Sequence, residues 1–171
     1  MGSAPLTIAA TSRCRHGVVM RGAMALILVV CTAGGWGCRG EKTLSDVRAD
    51  VRRAYPDVAT LSTAELADLL ETDRPPLLLD TRTREEFEVS HLPGAVWAGE
   101  DGPAAEATLR TRPAGQAVVV YCSVGHRSAE VARRLTGKGV AGVRNLDGSI
   151  FLWSREGRPL VDGSGASTVR V

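Results

Sequence analysis

Apolar and polar positions along the chain break it into short segments. Leu77 to Leu79 and Val118 to Tyr121 are continuous aliphatic and β-branched runs. Runs of that length without a polar member predict strands buried on both faces, as in a parallel sheet covered by helices. Helical spacing fills the intervals between them. In "TLSDVRADVRRA", Leu44, Val47 and Val51 share one face, so an amphipathic helix is expected over Thr43 to Ala54, with its arginines on a solvated face. Ser62 and Glu65 of "STAELADLL" have capping-box spacing ahead of Leu66, Leu69 and Leu70, and Thr83 and Glu86 repeat it ahead of Phe87 and Val89. Ala129, Ala132 and Leu135 predict a core-facing helix over Ser128 to Lys138. An edge strand over Val58 to Leu61, strands at Ala95 to Trp97 and Val140 to Leu146, a weak helix at Ala104 to Leu109 and a last helical turn in "IFLWSREGRPLV" complete the pattern. "DGSGASTVRV" is expected to be a flexible tail. Strands alternating with helices predict an α/β fold.

One stretch concentrates chemistry. In "VVVYCSVGHRSAEVARRL" the second buried strand ends at Cys122, and a loop runs to Arg127 before the helix expected from Ser128. A strand that empties through a tight loop into a helix N-terminus gathers backbone N–H groups around one point, with the positive end of the helix dipole behind them. A cysteine placed there ionises more readily, with pKa values lowered to roughly 3.5–7.5. Cys122 is therefore read as a nucleophile, against the plain alternative of a small buried hydrophobe. Gly125 permits the turn, His126 and Arg127 bring positive charge, and Ser128 is a good N-cap. Asp80, closing the first buried strand, is either a turn residue or an anchor for the positive loop, because strand carboxyl ends meet at the site in such sheets.

Charge distribution changes the picture of the ends. The chain has 171 residues and a formal net charge of +2, yet residues 1–37 hold Arg13, Arg15 and Arg21 and no acid, leaving 18 basic against 19 acidic residues from Cys38 on. That near-neutral remainder carries no nucleic-acid footprint. In "RGAMALILVVCTAGGWGC", a basic residue, an apolar run and small residues ending at Cys38 follow the order of a secretory signal, and the run is shorter than the roughly 17–25 residues of a membrane span. The site resembles a bacterial lipoprotein cleavage site, at which Cys38 is acylated; an ordinary signal or a short uncleaved anchor is the alternative. Removal of Cys14 and Cys31 and acylation of Cys38 leave Cys122 as the one free thiol, with no disulfide framework and no cysteine or histidine cluster spaced for a metal.

"LLLDTRTREEFEVSHLPGAVWA", "VVVYCSVGHRSAEVARRL" and "GVRNLDGSIFLW" together resemble the rhodanese-like domain, in the family's order and spacing. The resemblance implies a three-layer α/β sandwich around a central five-stranded parallel sheet. It divides the chain into a signal (1–37), a linker with a short helix (38–56), a rhodanese-like domain (57–161) and a tail (162–171). The implied activity is that of a sulfurtransferase without a cofactor. A small anionic sulfur donor such as thiosulfate, or a persulfide, loads Cys122 as a persulfide, which passes its outer sulfur to a thiol, cyanide or a protein.

Ser123, Val124, Gly125, His126, Arg127 and Ser128 match the loop whose amides cradle the anion, Asp80 and Arg82 match the acidic and basic pair after the central strand, and His91 falls in a structural turn. Family members that act as phosphatases or arsenate reductases carry five residues between cysteine and arginine, whereas four separate Cys122 from Arg127 here. Ser123 stands where some thiosulfate-using members have a basic residue, and Ser90 and Ser149 stand where glycine is usual. A non-catalytic module that presents a persulfide or senses oxidants at the cell envelope is the alternative role. The expected location is exported, periplasmic or membrane-anchored through a lipid on Cys38.

Overall fold

The computed structural model describes residues 41–99 and 103–168; the expected signal and Cys38 lie outside the described residues. Three helices begin with reciprocal capping boxes. Thr43 caps α1 (Leu44–Ala54) with Asp46, Ser62 caps α2 (Thr63–Leu70) with Glu65, and Thr83 caps α3 (Arg84–Val89) with Glu86. In each, the hydroxyl accepts the third helical N–H and the acid accepts the cap's own N–H, which satisfies two otherwise unpaired donors. The strands are β1 (Thr60–Leu61), β2 (Leu77–Asp80), β3 (Val96–Trp97), β4 (Val118–Tyr121) and β5 (Val143–Leu146), with α4 (Pro103–Thr111), α5 (His126–Gly137) and α6 (Ser149–Arg155) between and after them.

Among the described residues these five strands form one parallel sheet in the order β1-β5-β4-β2-β3. Successive side chains of a strand point to opposite faces, so each central strand feeds two cores. Leu78, Val119 and Tyr121 pack with Leu66 of α2 and Ile150 and Trp153 of α6 on one face. Leu79, Val118 and Val120 pack with Ala105 of α4 and Val131, Ala132 and Leu135 of α5 on the other. This is the three-layer α/β sandwich expected from the uninterrupted apolar runs.

Three local expectations are corrected. Helix α5 starts at His126 instead of Ser128, because Gly125 takes the N-cap position at φ 105°, which only glycine adopts without strain. Strand β5 starts at Val143, since the Val140 N–H caps α5 at the Leu135 carbonyl and Gly142 turns at φ 73°. The segment expected as a tail closes a small hairpin instead, in which β6 (Leu160–Val161) pairs with β7 (Ser167–Thr168). Asp162 makes that turn, accepting the N–H groups of Ser164 and Ala166.

The sheet order also locates the site. After β2 the chain moves toward β3, and after β4 it moves the other way, toward β5. The carboxyl ends of β2 and β4 therefore lie at a topological switch point, where ligands bind in open α/β sheets. Asp80 and Cys122 stand there.

Candidate active site

Cys122 follows β4, and its sulfur faces inward over the loop: the Gly125 N–H donates to Sγ at 3.1 Å. Burial pushes the thiol up, but hydrogen bonds from the Ser128 hydroxyl and the amides of Ser128, Gly125 and Val124 outweigh it, so the net direction is down. The amides need no rearrangement to serve an anion. The Ser128 hydroxyl does, because its single proton points to Asn145 Oδ1 at 2.6 Å, an orientation fixed by the Asn145 amide donating to the Gly125 carbonyl at 3.0 Å. Ser128, expected as an N-cap, is instead a fully buried residue of the first turn of α5 that links the loop to β5. Cys122 itself is only 1% exposed. The sulfur therefore lies at the floor of the cradle.

The turn after β5 closes the cradle from below. Ser149 Oγ accepts the Cys122 N–H at 3.0 Å, and Ile150 and Phe151 of α6 donate to the carbonyls of Cys122 and Ser123 at 3.2 and 3.1 Å. Ser149 holds φ 53°, the one non-glycine residue with positive φ among the described residues, at a backbone cost of about 1–2 kcal/mol. Ser149 thus takes a backbone conformation that favours glycine and adds an acceptor for a buried amide. Gly148 before it is required, since a Cβ there would meet the Leu152 side chain at 2.6 Å.

Asp80 and Arg82 do come together, but as a closed pair. Arg82 Nε lies 3.0 and 3.1 Å from the two Asp80 oxygens and Nη2 lies 2.7 Å from Oδ2, with both residues at most 2% exposed. Arg82 also donates to the Ser90 carbonyl, and its own carbonyl accepts the Trp97 indole N–H at 3.0 Å. Burial works against the Arg82 charge, and Asp80 outweighs it, holding the guanidinium above its ordinary range. Asp80 thus anchors Arg82 and the turn into α3 and does not anchor the loop cation. His91 is likewise tied into the fold: its ring stacks on Phe87 at 3.8 Å and its backbone bridges to Val161.

The partner of the loop cation is a residue that sequence reasoning assigned only to a helix cap. Glu86 receives Arg127 Nη1 and Nη2 at 3.0 Å each and the Ser123 hydroxyl at 3.0 Å, while one of its oxygens still accepts the Thr83 N–H. Hydrogen bonds from Arg127, the Thr83 N–H and the Ser123 hydroxyl outweigh burial and hold the Glu86 carboxyl at about 2. Arg127 also donates to Ser123 Oγ at 2.9 Å, so the second and sixth residues of the loop are tied to each other and to α3. His126 is exposed and meets the Tyr55 ring edge-on at 5.3 Å; Val124 contributes its backbone amide. Ser149, Asn145 and Glu86 are the site residues that the sequence reading missed. The available signals were a polar Asn145 at an inward position of β5 and the capping-box spacing of Glu86, which showed its cap role alone.

The sequence matches the family described as Rhodanese-like domain over residues 62–156. A sulfurtransferase of Allochromatium vinosum is 31% identical over 110 residues, which cover 63% of this chain and 99% of that protein. An adenylyltransferase and sulfurtransferase of Zea mays is 29% identical over 124 residues, 70% of this chain, and the chain spans about a quarter of that relative's length (26%). Among solved structures, a thiosulfate sulfurtransferase from Pseudomonas aeruginosa superposes with a TM-score of 0.60 at 20% identity, covering 74% of this chain and 24% of that one. At that identity the likeness is one of fold.

Proposed function

The chain belongs to the rhodanese-like family, and from that premise we propose that it is a sulfurtransferase working through a persulfide on Cys122. The observation that carries the reading is the sulfur aimed at the Gly125 amide, 3.1 Å away, in a cradle that favours its anion. The Cys122 thiolate attacks the outer sulfur of the donor. The donor's S–S bond breaks, and sulfite, or a thiolate if the donor is a persulfide, leaves with the electron pair. The cradle amides hold the negative charge on the new persulfide without reorganising. An acceptor thiolate or cyanide then attacks the outer sulfur and returns the Cys122 thiolate, so the cycle needs no cofactor. Thiosulfate or a persulfide is the donor class.

Steady-state transfer from thiosulfate, and separately from an alkyl persulfide, to cyanide tests this. Wild type turns over and Cys122→Ser does not; equal rates for the two proteins refute the assignment. A second reading is favoured by the 1% exposure of Cys122. In that reading the domain presents a persulfide or registers an oxidant once, without turnover, and a single loading event without cycling distinguishes it. Phosphate chemistry fits less well, since four residues separate Cys122 from Arg127 and the Arg127 fork is already engaged by Glu86. The reading extends to location: residues 1–37 act as an export signal, and Cys38 carries lipid in the cell envelope. Intact mass of the membrane-extracted protein tests that, because acylation at Cys38 adds fatty-acyl mass to a chain that begins there.

A further inference from the structure

Helix α1 lies outside the residues matched by the family, which begin at 62, yet it is wired to the turn beneath the cradle. Arg48 forks onto Asp147 through Nε at 3.2 Å and Nη2 at 2.6 Å, and Arg52 adds Nη1 at 2.8 Å to the same carboxylate. Asp147 is 14% exposed at the side chain, and its N–H is held by the Leu61 carbonyl at 2.9 Å. Two residues later comes Ser149, whose left-handed backbone and Oγ fix the Cys122 amide. At its far end α1 is followed by Tyr55, which meets His126 edge-on while Arg133 of α5 sits over its ring at 5.2 Å. The helix therefore touches the cradle from both sides: through Asp147 at the end of β5 and through His126 at the start of α5. The arginines expected on a solvated face are the contact.

A strained turn persists only where its surroundings over-determine it. On the α6 side Ser149 is restrained by the backbone bonds of Ile150 and Phe151. On the other side Ser149 Oγ reaches the Leu146 carbonyl at 3.3 Å, and Asp147, between the two, is gripped by two guanidinium groups. Resting on the sulfurtransferase reading, we infer that Arg48 and Arg52 are positioning residues for sulfur transfer: by holding Asp147 they hold the Ser149 turn that receives the Cys122 amide. They touch no reactant.

The test uses the full chain with Arg48→Gln/Arg52→Gln, Asp147→Asn and the conservative Arg48→Lys/Arg52→Lys. In the Gln variant kcat falls about fivefold or more while KM stays within twofold, and amide exchange quickens in peptides spanning 118–125 and 146–151 but not in β2. The Lys variant recovers part of kcat, because charge returns without the fork. Should the Gln variant fail to fold, Asp147→Asn, nearly isosteric with the native side chain, carries the same expectation. A folded variant with kcat within twofold of wild type overturns the inference, as does a fall in kcat with unchanged exchange around Ser149. If wild-type protein transfers no sulfur from either donor, the functional reading fails instead, and the exchange data alone decide whether α1 restrains the turn.

Discussion

Asp80–Arg82 and Glu86–Arg127 are both forked arginine–carboxylate pairs, one carboxylate closing β2 and the other standing on α3 just after it. The first is sealed, with side chains 0% and 2% exposed; the second stands at the mouth of the loop, with side chains 35% and 32% exposed. In the sealed pair the charges have given up water, so each depends on the other, on the Ser90 carbonyl and on the Tyr121 ring 6.0 Å from the guanidinium. In the open pair water competes throughout, and the attraction is weak and screened by salt. The difference teaches that the same chemistry frames the fold in one place and remains exchangeable in the other. Arg127 and Glu86 stay within reach of water and its solutes, whereas Arg82 does not.

The largest break in that contrast is Arg82→Met. It leaves the Asp80 carboxylate buried without its partner, and loss of one member of a buried pair costs about 3–5 kcal/mol. Urea unfolding followed by far-UV circular dichroism measures it; a loss under about 1 kcal/mol would mean that the pair is not sealed. Asp80→Leu/Arg82→Met then sharpens the point, because removing both charges leaves no buried charge unpaired and recovers part of the loss, the Arg82 N–H and the Ser90 carbonyl still losing their partners.

Next in size is the pair of substitutions at Ser149. Ser149→Ala keeps the left-handed backbone and removes the acceptor of the buried Cys122 N–H, at a cost of about 1–3 kcal/mol. Ser149→Gly loses the same acceptor but regains about 1–2 kcal/mol by relieving φ 53°. Thermal unfolding is therefore expected to rank Gly above Ala, while both lower sulfur transfer. A Gly variant less stable than Ala would show that the backbone there carries no strain.

How much of this was legible in the chain depends on how far apart the partners lie. The apolar runs at 77–79 and 118–121 and the two predicted capping boxes follow from neighbours within four residues, and they form as expected. Cys122 at a strand-to-helix loop is equally local. Glu86 is half legible: one of its oxygens serves Thr83 three residues back, which sequence spacing reveals, and its other contacts reach Ser123 and Arg127, 37 and 41 residues on. Arg48 and Arg52 meet Asp147 across 99 and 95 residues, and no local pattern separates that from a solvated charged face. The start of α5 was misplaced for a different reason. Ser128 has the chemistry of an N-cap, but Gly125 turns the chain earlier and sends that hydroxyl into the core, toward Asn145.

A smaller effect is expected from Glu86→Gln. Stability changes by under about 1 kcal/mol, the usual worth of a half-exposed pair. The kinetic consequence depends on the donor. Removing one negative charge about 4 Å from an anion's path is worth about 1 kcal/mol in a water-like dielectric, or about fivefold. KM is thus expected to fall about fivefold for a monoanionic alkyl persulfide and, with twice the charge and about 2 kcal/mol, roughly thirtyfold for dianionic thiosulfate. Equal changes for both donors would show that Glu86 acts by holding the loop's shape and not by its charge.

The smallest expected effect is in acid, and its sign follows from Glu86 alone. Its folded pKa of about 2 lies below the ordinary 4.5, chiefly through the Arg127 hydrogen bonds, so its contribution is fully present above pH about 4.5 and is lost as pH falls toward 2. Because the pair is one-third exposed, the shift overstates its worth, and under about 1 kcal/mol of stability is at stake. Chemical unfolding of wild type and Glu86→Gln from pH 6 down to about pH 2.5 isolates the contribution: the two curves are expected to converge as the native carboxylate takes up its proton. Curves for Glu86→Gln and wild type that stay parallel down to pH 2.5 would mean that Arg127 holds no ionised partner at the mouth, and the contrast between sealed and exchangeable pairs would lose its second member.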